Sequence, residues 1–131
     1  MPPANEDFPQ HLKQFIAQQI RSVSQLEMLL LVRSDRERSW TSEELGRALY
    51  LAAEMCAQQL EELEAGGLVK AAANSERRYS YAPADAVIDR TVGELAEMYQ
   101  QRRVSVITAI YSEPIDKIRT FAEAFRFRKE K

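Results

Sequence analysis

Side chains able to do covalent or metal chemistry are sparse in this chain of 131 residues, which holds one histidine, His11, and one cysteine, Cys56. A structural or catalytic metal site gathers several such ligands, and His11 has no second histidine or cysteine to join it. A single cysteine also excludes an internal disulfide. Cys56 has no basic neighbour in sequence to lower its thiol pKa, so it reads as a small core residue rather than an oxidant sensor. No glycine-rich phosphate loop is present, and no Ser/His/Asp or Cys/His set can be assembled without His11. Carboxylates are many but fall on helix faces expected to be solvated. These residues predict a non-enzyme that carries neither metal nor cofactor.

What remains is charge chemistry. Lys and Arg hold nucleic acid chiefly by neutralising phosphates, and the cations fall in patches: Arg33, Arg36 and Arg38; Lys70, Arg77 and Arg78; and the basic end from Arg126 to Lys131. Against them stands the stretch LAAEMCAQQLEELEAGGLV at 51–69, whose charged side chains before Lys70 are all acidic: Glu54, Glu61, Glu62 and Glu64. Residues 41–65 hold one base, Arg47, and six acids. With a formal net charge of −2 the chain has no overall basic field, so any nucleic-acid contact must be local. Hydrophobic residues make up 45% of the chain, enough for a core in one domain with an extra helix or two. The longest apolar run, Met28 to Val32, is far short of the roughly 18 residues of a membrane span. The start, MPPANEDFPQ, lacks the basic and apolar regions of a signal peptide. A soluble cytoplasmic protein with no membrane association is predicted.

The elements that must position these charges follow from periodicity and caps. Residues 1–8, with Pro2 and Pro3, read as a loose arm. From Pro9, the spacing of Leu12, Phe15, Ile16 and Ile20 predicts a short amphipathic helix. Ser24-Gln25-Leu26-Glu27 matches a capping box with Val23 and Met28 as its staple, predicting a helix from Ser24 to about Arg33. After a polar turn at 34–38, Thr41-Ser42-Glu43-Glu44 repeats the device with Trp40 and Leu45 as staple, and Leu45, Ala48 and Leu49 share one face. A third helix begins near Ala52 or Ala53, buries Met55, Cys56, Leu60 and Leu63, and stops at Gly66-Gly67. Leu68 to Ala72 and Arg77 to Tyr81 read as strands joined by a turn at Asn74-Ser75-Glu76. Beyond Pro83, Val87, Ile88, Val92, Leu95, Ala96 and Tyr99 form a helical stripe. Arg102 and Arg103 interrupt it and are placed to pair with Glu94, Glu97 or a partner chain, or to stay solvated. Residues 104–111 are β-branched, yet they continue the helical period without a turn residue and read as helix rather than strand. Pro114 opens a last helix with Ile115, Ile118, Phe121 and Phe125 on one face; packing on the domain or a second subunit is favoured there over a membrane surface.

Helix, polar turn, helix, short turn, helix, hairpin: the order resembles a winged helix-turn-helix domain. The residues that carry the resemblance are SQLEMLLLV at 24–32, WTSEELGRAL at 40–49, LEELEAGGLV at 60–69 and RRYSYAP at 77–83. They are similar to bacterial transcriptional regulators of the MarR, PadR and ArsR type over roughly residues 22–83. The fold class implied is mainly α with a small β-hairpin: a flexible arm at 1–8, a winged helix domain with its leading helix at 9–83, and a helical dimerisation extension at 84–131. In such regulators the third helix lies in the major groove and the wing touches the neighbouring backbone. The resemblance thus implies DNA contacts at Gln58 or Gln59, able to bond adenine edges, and at Lys70, Arg77 and Arg78. It implies homodimer contacts at Val92, Leu95, Tyr99, Val106, Ile110, Ile118, Phe121 and Phe125. The expected function is a dimeric DNA-binding transcriptional regulator in which wing and terminal arginines contact phosphates. The alternative is a winged helix that docks a basic protein partner on its acidic third helix and binds no DNA. A small ligand between domain and tail is a third account, for which the sequence names no site.

Overall fold

Three of the helix starts among the described residues are fixed by a single capping side chain: Ser22, Thr41 or Asp85. The structure, a computed structural model, describes residues 8–72 and 77–112. Helix α1 (Gln10–Gln19) follows Pro9 and buries Leu12, Phe15 and Ile16. Phe8, placed by sequence in the loose arm, is buried in the same core. Helix α2 (Val23–Ser34) is capped two residues upstream of the box expected at Ser24. Its cap is Ser22, whose Oγ accepts the Gln25 N–H at 3.1 Å, while Gln25 Oε1 accepts the Arg21 N–H at 2.8 Å. Ser22 has the extended backbone a cap requires. Gln25 is itself buried and donates to Glu62 at 2.9 Å, so the cap is fixed by a tertiary contact. Val23 is then the first helical residue and Met28 a core residue, and the pair no longer flanks the cap.

The second box forms as expected. In α3 (Ser42–Leu49), Thr41 Oγ1 accepts the Glu44 N–H at 3.1 Å and Glu44 Oε1 accepts the Thr41 N–H at 3.0 Å. Trp40 and Leu45 are buried on either side of it. Ala48, expected inward, is exposed, and Gly46 turns inward instead. The reason is close approach: a Cβ on Gly46 would stand 2.6 Å from the Leu51 carbonyl oxygen. The helix ends at Tyr50 in the left-handed conformation, φ 59 and ψ 47.

Helix α4 (Ala53–Ala65) buries Cys56, Leu60 and Leu63, whereas Met55, expected with them, is 40% exposed. Its end is a Schellman motif. Gly67 takes φ 77, its N–H reaches the Glu64 carbonyl at 3.0 Å, and the Leu68 N–H reaches the Leu63 carbonyl at 3.0 Å. Leu63 and Leu68 are both buried beneath it. Strands β1 (Val69–Ala71) and β2 (Tyr79–Tyr81) then pair antiparallel, Val69 opposite Tyr81 and Ala71 opposite Tyr79. The expected turn at 74–76 lies outside the described residues. On its other edge β2 is paired with Trp40: the Trp40 N–H donates to the Tyr79 carbonyl and the Tyr79 N–H to the Trp40 carbonyl, both at 2.8 Å.

Helix α5 (Ala86–Gln101) is capped by Asp85, whose Oδ1 accepts the Ile88 N–H at 2.8 Å. Helical geometry breaks at Arg102, φ −136 and ψ 59, and resumes as α6 over 103–112. The stretch 104–111 is therefore helix. Val92, Leu95, Val106 and Ile110, assigned by sequence to a dimer contact, are instead enclosed by the chain's own core with Leu12, Ile16, Leu26 and Leu29. Apolar periodicity marks a buried face but not what covers it, and here α1 packs on α5. Tyr99 is half-buried and its hydroxyl donates to Glu27 at 2.9 Å. Ile118, Phe121 and Phe125 lie outside the described residues. Among the described residues no helix is long and apolar enough to cross a membrane.

Two variants test this account by thermal or denaturant unfolding. Thr41→Ala removes a cap and should cost about 1 kcal/mol. Gly46→Ala forces a methyl against a backbone oxygen and should cost ~1–3 kcal/mol. A Gly46→Ala variant as stable as the parent would show that the turn after α3 yields freely.

Candidate nucleic-acid interface

Helix α4 turns Glu54, Gln58, Glu61 and Ala65 outward as one exposed stripe, with Ala53, Ala57 and Glu62 half-buried at its sides. The two glutamines expected to read bases part company. Gln58 is exposed, whereas Gln59 faces α2, donating to Ser24 Oγ at 3.2 Å with its Oε1 buried. Residues one apart on a helix differ by about 100° in direction, so the two side chains need not share a face. The acids divide as well. Glu62 accepts from Gln25 and lies 3.9 Å from Arg21, and Glu64 accepts the Ala71 N–H at 3.2 Å. Glu54 and Glu61 point to solvent.

The wing arginines also separate, because neighbours in extended chain project to opposite faces. Arg77 is exposed, donating through Nε to the Tyr79 hydroxyl at 2.9 Å. Arg78 turns toward α3: its Nε donates to Ser39 Oγ at 3.0 Å and its Nη2 to Glu44 Oε1 at 3.1 Å. Arg78, expected at the DNA backbone, therefore ties the wing to the capping box. Lys70 is exposed on β1.

The arginines at 33–38 are engaged by the chain's own side chains, although Arg36 and Arg38 stay exposed. Arg36 makes a bidentate pair with Asp89 at 2.9 and 3.2 Å and lies over the Tyr81 ring, 4.9 Å from its centroid. Arg38 stacks on Trp40 at 3.5 Å. Arg33 fills the space left by Gly93, where a Cβ would stand 3.1 Å from its Nη2. Arg103 pairs with Glu27 at 3.0 Å rather than with Glu94 or Glu97, and Glu94 meets His11 at 3.1 Å.

One basic residue escapes sequence reasoning. Arg47, exposed in the last turn of α3, lines an open cleft of about 430 Å³ with Arg77 and residues Thr41 to Glu44. The cleft opens at the N-terminus of α3, whose helix dipole favours anions; Glu43 at its rim opposes them. Nothing in the linear sequence links Arg47 to Arg77, because α4 and β1 intervene.

Electrostatics around this frame follow the contacts. The Glu44 carboxyl is held below its usual range, first by the Thr41 N–H and then by Arg78, with burial opposing. Asp89 is lowered by the Arg36 hydrogen bonds and by the Tyr81 hydroxyl, which donates to it at 2.8 Å. Burial, and then that bond, push Tyr81 up to about 12. Burial also raises the Cys56 thiol, which suits a core residue.

No family model and no curated protein matches the chain. Solved structures do. A homodimeric winged helix-turn-helix DNA-binding domain from Mycobacterium bovis, a possible ArsR-family transcriptional regulator, is 14% identical, with a TM-score of 0.53 over 78% of this chain and 91% of that one. MepR, a transcription regulator of the Staphylococcus aureus multidrug efflux pump MepA, is 12% identical, with a TM-score of 0.52 over 90% of each chain. The likeness establishes the fold: a winged helix-turn-helix, with α3 and α4 as its two helices, Tyr50 in the turn and the β1–β2 hairpin as the wing.

The lowered carboxylates set a pH dependence. A group whose folded pKa is depressed stabilises the fold above its unfolded pKa of about 4, and that contribution is lost as pH falls through the folded value. Glu44→Gln with Asp89→Asn should therefore lower stability at neutral pH and flatten the acid decline. Equal acid slopes in parent and double variant would show that neither carboxylate is held by its partners.

Proposed function

We propose that this chain is a dimeric transcriptional regulator that holds DNA mainly by its phosphate backbone. The observation that carries the reading is the meeting of Arg77 from the wing with Arg47 from α3 around one cleft, on a winged helix-turn-helix frame. Lys70 adds a third exposed cation on β1. Helix α4 contributes Gln58 as a hydrogen-bonding group for a base edge, while Glu54 and Glu61 repel phosphates. Such an interface gives modest affinity with strong salt dependence, and a second copy doubles its few contacts and sets the spacing of half-sites. The winged helix domain at 9–83 is the DNA-facing part and the extension at 84–131 the dimerising part. In that extension α6 presents Val104, 77% exposed, and Tyr111, 65% exposed, for a second copy in place of the enclosed Val106 and Ile110. The mycobacterial domain is homodimeric, and dimerisation is carried to this chain by fold alone.

Binding of duplex DNA across a salt series, followed by anisotropy, tests the reading. The parent should show a steep negative dependence of log K on log salt. Arg47→Ala with Arg77→Ala should weaken binding and reduce the slope by about one unit for each phosphate contact removed. An unchanged slope and affinity in the double variant would refute the assignment of these two arginines.

A further inference from the structure

The outward face of α4 is poorly suited to phosphates and well suited to a cationic protein surface. Glu54 and Glu61 are exposed two helical turns apart, and no cation among the described residues is paired with either. Gln58 stands between them as the neutral donor and acceptor of the stripe. At the N-terminal end of the same helix are two large apolar groups that the core does not take up. Tyr50 is 94% exposed in the turn, and Met55 is 40% exposed one turn into α4. Tyr50 departs from the glycine that a left-handed position favours, at φ 59, and so places a rigid aromatic ring in water where a smaller residue would fit the backbone better. Tyrosine is over-represented among residues that dominate protein–protein affinity.

We propose that this face docks a protein segment that carries lysine or arginine side chains beside an apolar anchor. The anchor packs on Tyr50 and Met55, and the cations meet Glu54 and Glu61. The two glutamates are seven residues apart, which places the complementary cations roughly 10 Å apart along the helix. Charge complementarity steers the encounter and rejects acidic segments. The docked segment covers the side of α4 that the DNA reading turns toward the groove, so the two occupants exclude each other. The docking itself rests on the chemistry of the face and does not require that DNA be bound.

Selection of a random-peptide display library on the folded full chain, followed by anisotropy with the selected peptides, tests it. The expected peptides are net basic with at least one aromatic or large aliphatic residue. Their affinity should fall about tenfold or more on Glu54→Lys with Glu61→Lys, and several-fold on Tyr50→Gly, which keeps the left-handed turn. No selected peptide, or peptides whose affinity neither variant changes, would overturn the proposal. The same charge-reversed variant is titrated with duplex DNA, where it should bind more tightly if α4 approaches phosphates. Lost peptide binding with unchanged DNA behaviour upholds the docking face and counts against the approach of α4 to DNA; tighter DNA binding with unchanged peptide binding does the reverse.

Discussion

The wing is joined to the helix-turn-helix by a pair of backbone hydrogen bonds between Trp40 and Tyr79, and the meeting of Arg78 with Glu44 follows from them. Trp40 directly precedes the cap of α3, so pairing it with β2 brings the wing to the start of that helix. Glu44 then serves both sides. One of its oxygens closes the capping box, and the carboxylate also receives Arg78 from the wing. A salt bridge on an open surface contributes little, but this one adds hydrogen bonds to Ser39 and is three-quarters enclosed on the arginine side. The geometry of wing against helix is thus set by backbone pairing and confirmed by one shared carboxylate.

That arrangement accounts for where the arginines go. Arg36, Arg38, Arg77 and Arg103 all lie over aromatic rings, and Arg36, Arg78 and Arg103 are also paired with carboxylates. A planar guanidinium can stack and pair at once, which a lysine cannot do as well. Arginine here is largely a structural residue. Asp89 shows the effect most plainly: it receives Arg36 from the turn after α2 and Tyr81 from β2 while belonging to the first turn of α5. The turn after α2, the wing and the start of α5 are fastened at one carboxylate.

Much of the fold was legible because its signals are local. The box at Thr41 needs only residues within four positions, and Gly66-Gly67 needs only the apolar residue that follows it. The misreadings share a different origin. Two overlapping matches to a capping box exist, Ser22 to Gln25 and Ser24 to Glu27, and the choice between them is made by Glu62, far along the chain. The stripe through Val92, Leu95, Val106 and Ile110 was correctly apolar, but periodicity carries no information about whether the cover is a partner or the chain itself. The candidate site was less legible than the fold. Gln58 and Gln59, and Arg77 and Arg78, are adjacent pairs in which local geometry sends one member outward and the other inward. Arg47 joins Arg77 only after α4 and the hairpin have folded over α3.

The enclosure of Cys56 has a kinetic consequence. It lies on the inner face of α4 with no exposed surface, and it is the chain's one thiol. A thiol so enclosed is reached by reagent only in molecules whose α4 has momentarily come away from the core. When reclosing is faster than alkylation, the labelling rate is the intrinsic rate multiplied by the population of that opened state. Any occupant that clamps α4 in place, nucleic acid or protein, must slow this rate in proportion to its grip. The chain therefore carries its own clock for how firmly its central helix is held, with no foreign probe introduced.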